Sequence, residues 1–492
     1  MAESIETRLF INNETHLITR YQFRSARSGE SFTVKRSYDD SIIAENVQIA
    51  GEQDVNDAVD AAHAAFKHWR KTPAPERAKC MLKLADLIEE NLEWLAELET
   101  AAMGAPISAT KWIASTMPTW WRYYAGWTDK LGGESLEDLD GSYRMVRYEP
   151  LGVCAGIASW NATLFYLSWK IAPAVAAGNT FIFKSSEKSP LGALRFADLV
   201  RRAGFPPGVI NLITGFGQTG GLLASHQNIR KISFTGSTLT GRKIQIAAAN
   251  SNLKRVTLEL GGKSAAIVFN DADIDEALTH MSQTFLLNCG QVCAATSRLL
   301  VQDTIAESFV AELKTRFQGF AKALGDPSDP NTFLGPIADR MQRDRINSFI
   351  DAARTENLNI LAGGQSQGPQ SQFIQPTIIL DPPSSSTLYR DEIFGPVLVI
   401  KTFKSEAEAI DMANDSAYGL GAALFTKDVP RALRLSSDLE CGFVGINMPI
   451  TPSAYTPFGG AKESGYGREG GRMGLMAYME PKTVAIAMKP RL

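Results

Sequence analysis

Cysteine and histidine are scarce in this chain of 492 residues, with five of each. The thiols Cys80, Cys154, Cys289, Cys293 and Cys441 are odd in number and mostly far apart. That excludes a disulfide framework and points to a reducing compartment. Cys289 and Cys293 lack a second ligand pair, so a structural zinc site is not expected. The histidines are His16, His63, His68, His226 and His280, and none adjoins Cys293 as a cysteine-protease base would. An excess of charge of one sign is also missing: 50 basic residues face 53 acidic ones, for a net charge of −3. Nothing electrostatic therefore calls for nucleic acid or an anionic membrane as partner. No run reaches the roughly 18 apolar residues of a membrane span. The first residues carry acids and no apolar segment, unlike a secretory signal or a mitochondrial presequence. Cytoplasm is the expected location, with a peroxisomal tail at Pro490-Arg491-Leu492 as the alternative. Asn161-Ala162-Thr163 matches a glycosylation triplet and, without a signal, is read as incidental.

What is present is ordinary globular material, 44% hydrophobic and 21% charged, enough for more than one core. Residues 8–13 suggest a strand entering a turn. Apolar spacing predicts helices over 53–70 and 75–103, the second started by Pro75. Residues 143–149 alternate as an exposed or interface strand does. From 150 the pattern becomes strand and helix in turn: strands at 153–157, 180–184, 209–214 and 231–234, helices at 165–177, 191–203, 218–225 and 240–250. The alternation resumes with strands at 265–269 and 299–301 and helices at 273–288 and 305–323. Such alternation implies right-handed crossovers and parallel sheets in two α/β units.

Several motifs carry chemistry. Gly215-Phe216-Gly217-Gln218-Thr219-Gly220 has dinucleotide-fingerprint spacing, but no acid ends the next strand about 20 positions on. A glycine-rich turn with a helix cap explains it equally well. Gly236 to Arg242 and Gly262-Lys263-Ser264 each imitate part of a phosphate-binding P-loop and complete neither. Ser237 opens a helix after a strand and offers free N–H groups to a phosphate. Lys184 ends a strand, and Glu187 reads either as a ribose ligand or as a first-turn acid ahead of Pro190. Cys293 lies in Asn288-Cys-Gly-Gln-Val-Cys293, with Glu259 upstream in Leu258-Glu-Leu-Gly-Gly-Lys263. A thiol with a carboxylate base suits covalent catalysis on a carbonyl.

Together with Trp160-Asn161, Lys184-Ser-Ser-Glu187, Phe234-Thr-Gly-Ser-Thr238, Glu392-Ile-Phe-Gly-Pro-Val397 and the run from Pro457 to Glu469, these motifs resemble the NAD(P)-dependent aldehyde dehydrogenase family over essentially the whole chain. The resemblance implies an α/β fold with a Rossmann-type cofactor domain at 1–131 and 151–261 and an α/β catalytic domain at 262–463. A small β oligomerisation extension at 132–150 and 479–492 would make a homodimer or homotetramer. It implies Cys293 as nucleophile, Asn161 with the Cys293 N–H as oxyanion donors, and Glu259 as the base for thioester hydrolysis. Cofactor contacts would come from Ile157, Trp160, Lys184, Glu187, Gly217, Gly221, Phe234, Ser237, Leu260, Glu392 and Phe394. Glu187 repels a 2′-phosphate, so NAD is expected over NADP, with Lys184 and Lys188 leaving NADP as a second candidate. The family often reads Pro-Trp-Asn-Phe-Pro where this chain has Ser159-Trp160-Asn161-Ala162-Thr163. By matching position, Thr116, Ala162, Phe165, Trp169, Leu287, Val292, Ile450 and Phe458 would line an apolar substrate tunnel. The expected substrate is a hydrophobic or aromatic aldehyde; a semialdehyde, or non-redox thioester or ester hydrolysis on the same fold, is the alternative. Cys289 reads either as a partner for a regulatory disulfide with Cys293 or as a buried thiol.

Overall fold

The computed structural model describes residues 5–12, 23–136, 141–368 and 372–488. Pro490-Arg491-Leu492 and the Asn13 end of the expected first strand lie outside them. Two mostly parallel sheets dominate, as the strand–helix rhythm predicts. The first runs Gly465–Tyr466, Arg255–Glu259, Lys231–Thr235, Val153–Ile157, Thr180–Lys184, Ile210–Ile213, with only the Gly465–Tyr466 edge antiparallel. Val153–Ile157 and Thr180–Lys184 are buried at every position, as parallel strands covered on both faces must be. The strand order reverses between Val153–Ile157 and Lys231–Thr235, so the crevice beyond their carboxyl ends is the natural ligand position.

The second sheet runs Asn359–Ala362, Thr377–Leu380, Val397–Phe403, Arg298–Gln302, Ala265–Val268, Gly421–Phe425, Phe443–Ile446, antiparallel only at Asn359–Ala362. Arg298 pairs with Ala265, so both central strands begin at one edge. The chain leaves the first sheet at Glu259 and starts the second at Ala265. The carboxyl edge of one sheet therefore meets the amino edge of the other across Leu260 to Ser264. A third, smaller sheet pairs Met479–Ala487 with Ser142–Pro150 along its length and adds Glu134–Leu136. Its strands fall within the ranges 132–150 and 479–492.

Two helices differ from the sequence reading. The single helix read over 75–103 is two, Ala74–Glu90 and Leu92–Met103, divided at Asn91, whose φ of −124° leaves the helical region. The helix read over 273–288 runs from Ile274 with one π-helical turn, His280–Thr284, inside it, and ends before the left-handed Asn288. A helix not read from the sequence, Ile107–Ala125, carries Pro118 inside it and packs against Thr163–Ala176.

Candidate active site

The segment leading to Cys293 is bent by three successive left-handed residues: Asn288 at φ 51°, Cys289 at φ 55° and Gly290 at φ 68°. Only glycine fits the third, because a Cβ there would lie 2.4 Å from the Gly395 carbonyl. Non-glycine residues in this region are strained, and the surroundings hold them. The buried Gln291 side chain does so directly, donating to Asn288 O at 3.0 Å and accepting from Ala338 N at 3.1 Å. The bend sends the two thiols into different surroundings. Cys289 is buried in the core of the second sheet and donates to Gly335 O at 3.1 Å. Cys293 packs against the core of the first sheet and its covering helices. The turn between them is not helical, and Cys289 fits the reading of a buried thiol.

Cys293, Glu259 and Asn161 converge on one cavity of about 150 Å³ between the sheet edges. Glu259 is 1% exposed; the Cys293 thiol lies within hydrogen-bonding reach of its carboxylate, which has no other partner among the described residues. Burial pushes its pKa up to about 8; the charge of Glu469 adds to this and Lys170 opposes it. Burial also raises the Cys293 thiol well above its ordinary value, and the charge of Glu259 acts in the same direction. The Ala294 N–H pulls the other way. Asn161 donates from Nδ2 to Gln291 O at 3.0 Å, tying it to the segment that carries Cys293.

Cys293 and Asn161 also border a second, larger cavity of about 520 Å³. All eight tunnel residues expected from the sequence line it: Thr116, Ala162, Phe165, Trp169, Leu287, Val292, Ile450 and Phe458. No Lys, Arg, Asp or Glu does so among the described residues. His280 lines it too, and burial pushes its pKa down to about 4, so it is uncharged at neutral pH. Phe165 lies edge-on to Trp120 at 5.4 Å between centroids, and Trp169 tilts against Phe458 at 5.6 Å.

Trp160, Ser237, Leu260, Glu392 and Phe394 line the smaller cavity with Cys293, Glu259 and Asn161. Glu392 accepts from Gly262 N at 3.0 Å, and burial raises its pKa to about 7. Trp160 and Phe394 meet edge to face at 5.5 Å. The other candidates sit further along the same sheet edge. Ile157 is in register with Lys184 on one side and Phe234 on the other. Gly217 and Gly221, on helix Gly217–Ser225, open onto free space. Glu187 is half-buried one turn past Lys184. Lys184 donates to Ser185 O at 3.0 Å, and burial lowers its pKa to about 8 against the pull of Glu187. Lys188 pairs with Asp339 at 2.5 Å. The P-loop imitation at Lys263 is closed: its buried ammonium donates to Asp391 O at 2.6 Å.

The aldehyde dehydrogenase family model matches residues 23–484. The chain belongs to that family. An aldehyde dehydrogenase of Emericella nidulans is 45% identical over 97% of this chain and 94% of its own length. A mitochondrial aldehyde dehydrogenase of Sus scrofa is 43% identical over 98% of this chain and 92% of its own. Among solved structures, a betaine aldehyde dehydrogenase of Staphylococcus aureus in complex with NAD+ superposes with a TM-score of 0.94 at 35% identity, covering 99% of this chain and 96% of that one. As an aldehyde dehydrogenase the chain is an oxidoreductase, and the likeness spans both α/β units and the small sheet.

Sequence reading missed several groups at this aldehyde dehydrogenase site. Gln342 and Arg345 lie on helix Arg340–Thr355 and border the smaller cavity. Gln342 donates to Phe394 O at 2.9 Å and Arg345 to Glu392 O at 2.7 Å. They hold a segment in which Phe394 has φ 59°. On the sequence they look like the solvated face of an amphipathic helix, and no local signal separates them from it. Ser159 and Tyr166 were likewise missed, although Ser159 marks a departure from the family pattern.

Proposed function

We propose that this chain oxidises an apolar, aromatic-type aldehyde to its carboxylic acid with NAD as acceptor. The observation that carries the reading is the position of Cys293 and Asn161, which border both the large apolar cavity and the smaller one at the cofactor-sheet edge. A carbonyl arriving through the first would meet the thiol beside the second. The residues fit a dinucleotide. Gly217 and Gly221 leave open space at a helix N-terminus. Gly261 gives Glu392 room, since a Cβ there would lie 2.3 Å from its Oε2. Ile157, Trp160, Phe234, Leu260 and Phe394 offer apolar surface, while Lys184, Glu187, Ser237 and Glu392 offer polar groups for riboses and phosphates. NAD, when bound, supplies the hydride acceptor.

The chain's own residues do the rest. Cys293 loses its proton, with Glu259 as the nearby acceptor, and Sγ bonds to the aldehyde carbon. The Asn161 amide and the Cys293 N–H donate to the resulting oxyanion. Loss of hydride from that carbon leaves an acyl thioester on Sγ. Glu259 passes the thiol proton to solvent and, again a carboxylate, takes a proton from water; the hydroxide oxygen bonds to the acyl carbon, the C–S bond breaks and Sγ leaves as the thiolate. NAD is favoured over NADP because Glu187 repels a 2′-phosphate, while Lys184 and Lys188 are engaged by Ser185 O and Asp339. The long pairing of Met479–Ala487 with Ser142–Pro150, and the exposed Leu136 and Ile486, suit a homodimer or homotetramer built through the small sheet. Five free cysteines suit the cytoplasm, and no helix among the described residues is long and apolar enough to cross a membrane.

The test is an aldehyde panel followed by NADH or NADPH absorbance. Benzaldehyde-type or long-chain substrates should surpass succinic semialdehyde in kcat/KM, and NAD should surpass NADP. Cys293→Ala should abolish turnover while NAD still binds. Faster turnover of succinic semialdehyde would overturn the substrate class, and higher efficiency with NADP the cofactor choice. Ester cleavage lost in Cys293→Ala, with no reduced cofactor from any aldehyde, would favour the hydrolase.

A further inference from the structure

Both proline positions of the common family pattern are replaced here, by Ser159 and Thr163, and each replacement makes hydrogen bonds that proline could not. We propose that Ser159, seconded by Tyr166, sets the orientation of the Asn161 carboxamide and is a positioning residue for the oxyanion site. The inference rests on the reading that Asn161 serves that site.

The orientation follows from donor arithmetic. Asn161 lies 3.0 Å from the Gln291 carbonyl oxygen, which can only accept, so the amide nitrogen must face it. The amide oxygen then faces Ser159 Oγ at 2.6 Å and Tyr166 Oη at 3.2 Å, and both hydroxyls donate to it. Burial raises the Tyr166 phenol well above its ordinary pKa, so its O–H remains a donor across the working range. One amide N–H is used on Gln291. The second has no protein partner among the described residues and is free for the oxyanion. Two donors on the carbonyl polarise the amide and strengthen its N–H groups as donors. Without Ser159 the carbonyl end keeps only the longer Tyr166 bond, beside the Gln291 contact at the nitrogen end, against rotation about the terminal side-chain torsion, which is intrinsically broad for asparagine.

The backbone beneath is fixed independently. Helix Thr163–Ala176 has no side-chain cap of its own at Ala162. The buried Glu99, from helix Leu92–Met103, accepts from Thr163 N at 2.9 Å instead. Thr163 and Ser189 share a hydroxyl bond of 2.6 Å, and Ser189 donates to Trp160 O at 3.0 Å. Main-chain position is thus secured on both sides of Asn161, and the freedom left for Ser159 to remove is that of the carboxamide.

The test is the rate of the first NADH turnover, the acylation step, in a double-mutant cycle. Ser159→Ala should slow it about five-fold, the loss expected for one hydrogen bond. The KM for NAD and the thermal midpoint should stay unchanged. Tyr166→Phe should add a smaller loss, and Ser159→Thr, which keeps the hydroxyl, should recover most of the rate. In an Asn161→Ala background Ser159→Ala should slow acylation no further. Equal slowing in both backgrounds would mean that Ser159 acts elsewhere and would overturn the proposal. So would an unchanged rate in Ser159→Ala where Asn161→Ala is severely slowed. If Asn161→Ala itself acylates normally, the oxyanion reading falls and takes this inference with it. Should Ser159→Ala prove unstable, the same cycle with Tyr166→Phe decides the matter.

Discussion

Deacylation should titrate with Glu259, and the structure sets where. Its pKa is raised from 4.5 to about 8, chiefly by burial. The carboxylate is the active form of a base, so the rate must rise with pH through that value. By simple titration Glu259 is about one-tenth ionised at pH 7 and about nine-tenths at pH 9, so hydrolysis should accelerate about ten-fold over that range. Glu259→Gln keeps the size and removes the titration. The assay is rapid mixing with NADH absorbance, which separates the burst of thioester formation from steady-state release. In the variant, steady-state turnover should fall by about two to four powers of ten, the usual worth of a general base, and the limb near pH 8 should vanish. The burst should survive, slowed to the extent that Glu259 also takes the thiol proton. A Glu259→Gln enzyme within about three-fold of wild type, with the limb near pH 8 intact, would refute the assignment.

Three further outcomes follow from the same site. The charge of Glu259 holds the Cys293 pKa up, so Glu259→Gln should let iodoacetamide react with Cys293 at lower pH; an unmoved or raised midpoint would break the link. Ala162→Phe should refill the tunnel and cut kcat/KM for bulky aldehydes by about ten-fold or more while sparing acetaldehyde, since overpacking is felt locally; equal losses for both would remove Ala162 from the tunnel wall. Lys170, fully buried, bonds Glu469 at 2.9 Å and Ser233 at 2.9 Å. Lys170→Met leaves the Glu469 carboxylate buried and unpaired, which should cost about 3–5 kcal/mol in chemical denaturation. Because the Lys170 charge lowers the Glu259 pKa, the same change should move the pH–rate midpoint upward, and a downward shift would contradict the electrostatics.

Much of the first sheet was legible because its central strands are buried on both faces and read as short, mostly apolar runs. Val153–Ile157 and Thr180–Lys184 have the bounds read from the sequence. The motif residues Cys293, Glu259 and Asn161 were legible as chemistry and through the family resemblance. Their environment was not. Nothing local says that Glu259 is buried, yet that burial decides its pKa. The helix read over 273–288 ends just short of its expected bound for a long-range reason. Gly290 must pass within touching distance of Gly395, and the left-handed bend that allows this ends any helix. Gln342 and Arg345 were hidden in the same way, because their partners at Glu392 and Phe394 are distant in sequence.

The linker between the sheets explains why Glu259 and Cys293 meet. Glu259 is the last residue of a strand in the first sheet, and Ala265 begins the second sheet in register with Arg298, just past the Cys293 turn. Any chain passing from one sheet edge to the other along this route carries a strand-end residue to the nucleophile segment. Two glycines make the passage close enough. A Cβ at Gly261 would strike the Glu392 carboxylate, and one at Gly262 would lie 2.7 Å from the Cys293 carbonyl oxygen. A side chain at either position would push the sheet edges apart and carry Glu259 away from the thiol. The Leu258-Glu-Leu-Gly-Gly-Lys263 motif is therefore the proposed base and the spacer that keeps it in range of Cys293, written as one segment.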